Sequence, residues 1–94
     1  MDRDINSLHD STLIGADMNW ANRKVVLTIE TAKGAVRIEC LSVTRFTLPM
    51  EYPWGPSVSI NNAAEESGML RIEMQSGDEI VICAESFQYC AGAA

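Results

Sequence analysis

The chain has 94 residues, 47% of them hydrophobic and 21% charged, and its seven basic and thirteen acidic side chains give a formal charge of −6. That length makes one domain over residues 1–94, ordered from about 8 to 90, able to bury roughly 60 to 68% of the surface its unfolded form exposes, and the composition excludes a disordered tail. The acidic excess repels phosphate backbones and anionic bilayers, so neither nucleic acid nor membrane is expected as a partner, whereas a basic protein surface is attracted.

The segment from Met1 to Asp10 carries Asp2, Arg3, Asp4 and Asp10 with no apolar run, so neither a signal peptide nor an anchor is expected. No segment approaches the ~18 consecutive apolar residues of a spanning helix, and a cytoplasmic protein is the expectation. Cys40, Cys83 and Cys90 are odd in number and lack CxxC spacing, which argues for reduced thiols rather than a disulfide framework or a zinc site.

Residues 2–9 are polar and irregular, and Asp10 or Ser11 can cap a short turn. From Thr12 to Trp20 the chain alternates, with Ile14, Ala16, Met18 and Trp20 on one side; this predicts a first strand with that side inward and Trp20 in the core. Ala21-Asn22-Arg23 makes a tight connection in which Asn22 can take a left-handed conformation. The best-patterned stretch follows. Val25, Leu27 and Ile29, then Val36, Ile38 and Cys40, each alternate with polar or mixed positions around the turn Thr31-Ala32-Lys33-Gly34, which is a hairpin. After Cys40 the parity changes, predicting a bulge or bend near Leu41-Ser42 and possible division of this strand in two.

All three prolines fall between Pro49 and Pro56, so this is a stiff loop. Ser57 to Ile60 reads as a short strand, and Asn61 to Gly68 as a polar turn with at most one helical turn in Ala63 to Ser67. Leu70, Ile72 and Met74 alternate, Ser76-Gly77-Asp78 closes a hairpin with a glycine at its centre, and Glu79 to Glu85 returns. Ile80 to Ala84 is apolar on both faces and predicts a central strand covered on both sides. Phe87 and Tyr89 are then expected at an open edge, and Ala91 to Ala94 is expected to fray. Six or seven short strands with little helix predict an all-β fold: a small antiparallel meander forming a sandwich or partly open barrel.

No hydrolase elbow, phosphate loop or metalloprotease helix occurs, so no catalytic, metal or cofactor residues are assigned and no enzyme is expected. His9 beside Asp10 is the one imidazole; a structural role outweighs a catalytic one, with a pocket formed with Trp54 as the alternative. Tyr52-Pro53-Trp54-Gly55-Pro56 is more informative. Aromatic rings on a stiff loop lose little entropy on binding and dominate interface hot spots, yet a large aromatic in a small β-domain also commonly plugs the core. The binding reading takes Tyr52 and Trp54 as anchors, with Glu51, Glu65 and Glu66 supplying charge around them.

Leu8-His9-Asp10-Ser11, Asn19-Trp20 and the run from Pro53 to Asn61 together resemble a family of short bacterial proteins with a Leu-His-Asp…Trp…Trp-Gly-Pro-Ser pattern, over about Leu8 to Cys83. That family is similar to immunity proteins, which neutralise toxins exchanged between competing bacteria. The resemblance implies an acidic, non-catalytic inhibitor that occludes a toxin's active site. A homo-oligomer joined through edge strands, such as a homodimer, and a small-ligand module are the alternative expectations.

Overall fold

The computed structural model describes residues 8–91. Six antiparallel strands, β1 (Thr12–Asn19), β2 (Lys24–Thr31), β3 (Gly34–Thr47), β4 (Ile60–Glu66), β5 (Met69–Met74) and β6 (Glu79–Ala91), form one sheet in the order β1-β2-β3-β6-β5-β4. The expected all-β antiparallel fold is therefore present, as one sheet rather than two facing sheets; it is not a single meander, because β1-β2-β3 and β4-β5-β6 each form one and β3 pairs with β6 to join them. Its two ends approach each other. Leu13 N–H donates to Val58 O at 2.8 Å, Ile60 N–H to Ser11 O at 2.8 Å and Asp10 N–H to Ile60 O at 2.7 Å, so the start of β1 is sewn to the lead-in of β4.

The curled sheet folds around its own inner face. Val25, Leu27 and Ile29 of β2 meet Ile38 and Cys40 of β3, Ile72 and Leu70 of β5, and Ile80 and Ile82 of β6, nearly all without solvent exposure. Burying a side chain of this size contributes roughly 1.5–3 kcal/mol. The β2–β3 hairpin forms as the alternation requires, with Thr31 opposite Gly34. Its two-residue loop is held by Thr31 Oγ1, which donates to Gly34 O at 2.8 Å and accepts from Lys33 N–H at 3.1 Å.

The expected bend falls at Ser42, whose φ of 56° lies in the left-handed region. β3 nevertheless stays one strand, because β6 pairs with it from Val36 opposite Ala91 to Thr47 opposite Val81. β6 shifts parity at the same level, from Ala84 to Phe87, so both strands keep an apolar side inward beyond the bend. Phe87 is consequently buried and Tyr89 packs against the core, neither at an open edge. β6 is central as predicted, but only its inner side is fully covered, with Val81 and Cys83 half-buried on the other.

Three local expectations are corrected. β1 has a bulge between Leu13 and Gly15, so Leu13 and Ala16 pack on the core while Ile14 turns outward; Met18 is exposed, and Trp20, beyond the strand, is 84% exposed. In the following turn the left-handed residue is Arg23, at φ 51°, rather than Asn22, whose N–H is held by Asn19 Oδ1 at 3.0 Å. The segment Ala63 to Ser67 has no helical turn: it lies mostly in β4, with Ala63 inward, Asn61, Asn62 and Glu66 exposed, and a two-residue turn at Ser67-Gly68. Pairing with β5 overrides a polar local sequence there, since an edge strand needs only one covered face. Of the segment Ala91 to Ala94 expected to fray, Ala91 instead ends β6 opposite Val36, and Gly92 to Ala94 lie outside the described residues, as do Met1 to Ser7.

Candidate functional site

The proline loop is held by one carboxylate. Asp78, buried just after the β5–β6 turn, accepts the N–H of Glu51 at 2.9 Å, that of Tyr52 at 3.0 Å and the Ser76 hydroxyl at 2.9 Å. Burial by itself pushes the Asp78 pKa up, but the bonds from Ser76, Glu51 and Tyr52 outweigh it and hold the group below its ordinary value. Tyr52 sits at φ 49°, an uncommon conformation before proline, and its carbonyl accepts the Gly55 N–H at 3.1 Å to close a turn through Pro53-Trp54. Trp54 N–H donates to Ser76 O at 3.0 Å. The Trp54 ring lies over Gly77: a methyl group there would stand 2.6 Å from its Cε3.

Trp54 is thus neither core plug nor free rotor. It is 75% exposed, with one part of its ring against a glycine and the rest facing solvent. Beside it the loop and the outward bulge of β1 border an apolar groove of about 310 Å³, whose exposed lining includes Ile14, Leu48, Met50, Tyr52 and Val58. Gly15 to Asn19, the adjoining length of β1, has no strand partner on its second edge among the described residues.

The other predicted site residues are dispersed. Glu51 adjoins Tyr52 and is exposed. Glu65 and Glu66 lie at the far end of β4, roughly 17–20 Å from Ile60 at ~3.3 Å per strand residue, so they do not surround Trp54. Glu65 turns inward and accepts the Tyr89 hydroxyl at 2.6 Å. His9 and Asp10 belong to the seam. The ring Nδ1 faces the Asn61 carbonyl and so carries its proton, Nε2 lies 3.5 Å from Asp10 Oδ2, and Gln75 Nε2 donates to Asp10 Oδ1 at 2.7 Å. Neither lines the groove, and no hydrogen bond or ion pair joins either of them to Trp54 among the described residues.

Burial, followed by the nearby Glu65 charge, pushes the Cys40 thiol up to about 12, leaving it protonated and unreactive at neutral pH. Cys83 and Cys90 are half-buried free thiols. Among the described residues no cluster of three His, Cys, Asp or Glu side chains could hold a metal, and no helix is long and apolar enough to cross a membrane.

Sequence reasoning singled out Tyr52 and Trp54 but missed the groove. Its other wall depends on the bulge that turns Ile14 outward, for which nothing but Gly15 interrupting the alternation could have been a signal. The site defines the chain as a small all-β domain with an apolar groove beside an unpaired strand edge. Compared with protein-family models, curated proteins and solved structures, it matches none of them.

Proposed function

We propose that this chain is a non-catalytic protein-binding domain that receives an extended, partly apolar segment of its partner in the groove between β1 and the proline loop. One observation carries the reading: Ile14, Leu48, Met50, Tyr52 and Val58 are all exposed, and all line the same groove. A concentrated apolar surface of this kind marks an interaction site more often than scattered exposed side chains do. The free edge of β1 adds backbone donors and acceptors, the usual means by which a sheet takes up a further strand. Trp54 and Tyr52 supply rigid rings at the rim, and Glu51 adds negative charge beside them.

An immunity-like inhibitor of a basic toxin is the specific form we propose, supported by the net charge of −6 and the family resemblance of the Trp-Gly-Pro-Ser stretch. Self-association through the β1 edge is the competing reading, favoured by the same unpaired backbone. The test is affinity capture with the wild type and a Met50→Asp/Val58→Asp variant, combined with light scattering at high concentration. The proposal expects a monomer and a captured partner that the variant loses; for the toxin form, the partner's toxicity on expression should be suppressed by the wild type alone. Concentration-dependent dimerisation abolished by the variant, or no partner dependent on the groove, overturns it.

A further inference from the structure

A second cleft, of about 480 Å³, opens between the β1–β2 turn and the outer half of β3, lined by Met18, Trp20, Arg23, Arg45 and Phe46 with buried Val43 among them. We infer that it binds a planar organic anion, the charged group held by Arg23 and Arg45 and the flat body against Trp20.

The charge distribution is the first argument. On a chain of net charge −6, two of seven basic side chains converge on one cleft that no acidic residue lines. Lys24 and Arg37 share one carboxylate, that of Glu39, at 3.4 and 3.5 Å, whereas neither Arg23 nor Arg45 has a carboxylate within ion-pair distance among the described residues. The planar donor forks of two guanidinium groups lining one cleft match carboxylate and phosphate geometry.

The backbone supplies an independent argument. Arg23 occupies a left-handed conformation, at φ 51°, that glycine or asparagine takes more cheaply. Across from it Ser42 does the same at φ 56°, and one residue further on the β3–β6 register slips between Val43 and Arg45, the kind of irregularity that re-aims a side chain. Val43 N–H donates to Arg23 O at 2.8 Å, locking the two segments together. Three departures from regular backbone therefore surround one cleft. Trp20, 84% exposed beside it, offers a ring face on which a planar group can stack, with Met18 and Phe46 as further apolar wall.

The inference is independent of the apolar groove and is tested separately. Labelled protein is titrated with 2-naphthoate, 2-naphthyl phosphate and the uncharged 2-naphthamide, following amide and indole resonances. At least one anion should bind with Kd below about 1 mM and shift the Trp20 indole and the amides from Val43 to Phe46. The amide should bind about tenfold more weakly or worse, and Arg23→Gln and Arg45→Gln should each cost about tenfold in affinity while leaving the circular dichroism unchanged. Met50→Asp, in the other groove, should leave this binding intact. The relative strength of carboxylate and phosphate identifies which anion the two arginines prefer. Equal binding of the amide, shifts confined to the apolar groove, or no binding of either anion overturns the inference.

Discussion

Asp78 shows how one side chain can organise a loop of more than ten residues. It accepts from two consecutive N–H groups of the proline loop and from Ser76, so its charged form is the one the fold uses. Because its folded pKa lies below the ordinary aspartate value of about 3.9, its stabilising contribution is present above that value and is lost as pH falls through the lowered one. Asp78→Asn should accordingly lower the urea midpoint at pH 7, and the gap from wild type should close as the pH is taken below the ordinary aspartate value. A gap independent of pH would mean that shape rather than charge holds the loop. Gly77 is constrained twice, by φ 96° and by the Trp54 ring over it. Gly77→Ala should cost about 1–2 kcal/mol from backbone strain alone. It should also displace the indole, so that combining it with Trp54→Ala costs less than the two single changes added together, measured as a double-mutant cycle.

At the level of strands, legibility followed the regularity of the ladder. β2 and the first half of β3 were read correctly because unbroken alternation faces one core, and the parity change at Leu41-Ser42 signalled the bend now seen at Ser42. β1 failed because a single extra residue at Ile14 moves the inward set off the simple alternation, and sequence alone does not mark on which residue a bulge falls. β4 failed because Asn61, Asn62, Glu65 and Glu66 look like a turn until β5 is laid beside them. Of the candidate site, the aromatic loop was legible from its prolines and rings; the Arg23–Arg45 cleft was not, since the two arginines come from elements far apart in the chain. The ladders carry a testable fault of their own. Glu73 lies directly opposite Glu79 at the start of the β5–β6 hairpin, a like-charge pair that Asn61 Nδ2 relieves only on the Glu73 side, at 3.2 Å. Glu79→Lys should raise stability by roughly 0.5 kcal/mol in low salt. The gain should shrink as salt screens the pair, and a loss would show that this register position is not governed by charge.

Taken as a whole, the molecule is a sheet that nearly closes, and the apolar groove lies beside the place where it does not. β3 and β6 are bonded along most of their length, whereas β1 meets the lead-in of β4 only through Asp10, Ser11 and Leu13, with the exposed His9–Asn61 and Asp10–Gln75 bonds alongside. A seam held among the described residues by three backbone bonds, with two exposed side-chain bonds beside them, opens at lower free energy than the longer central ladder. Hydrogen exchange should then show the amides of Asp10, Leu13 and Ile60 exchanging well before those of Ile38, Cys40 and Ile82, which lie in the buried middle of the sheet. The same opening widens the apolar groove, because Leu13 and Ile14 form one wall and Val58 the other. A partner strand seated there would bridge the seam from both sides, and its binding should slow exchange at Leu13 and Ile60 more than anywhere in β3 or β6. If those seam amides are as protected as the centre in the free protein, the sheet is a closed barrel in solution and the groove has no moving wall.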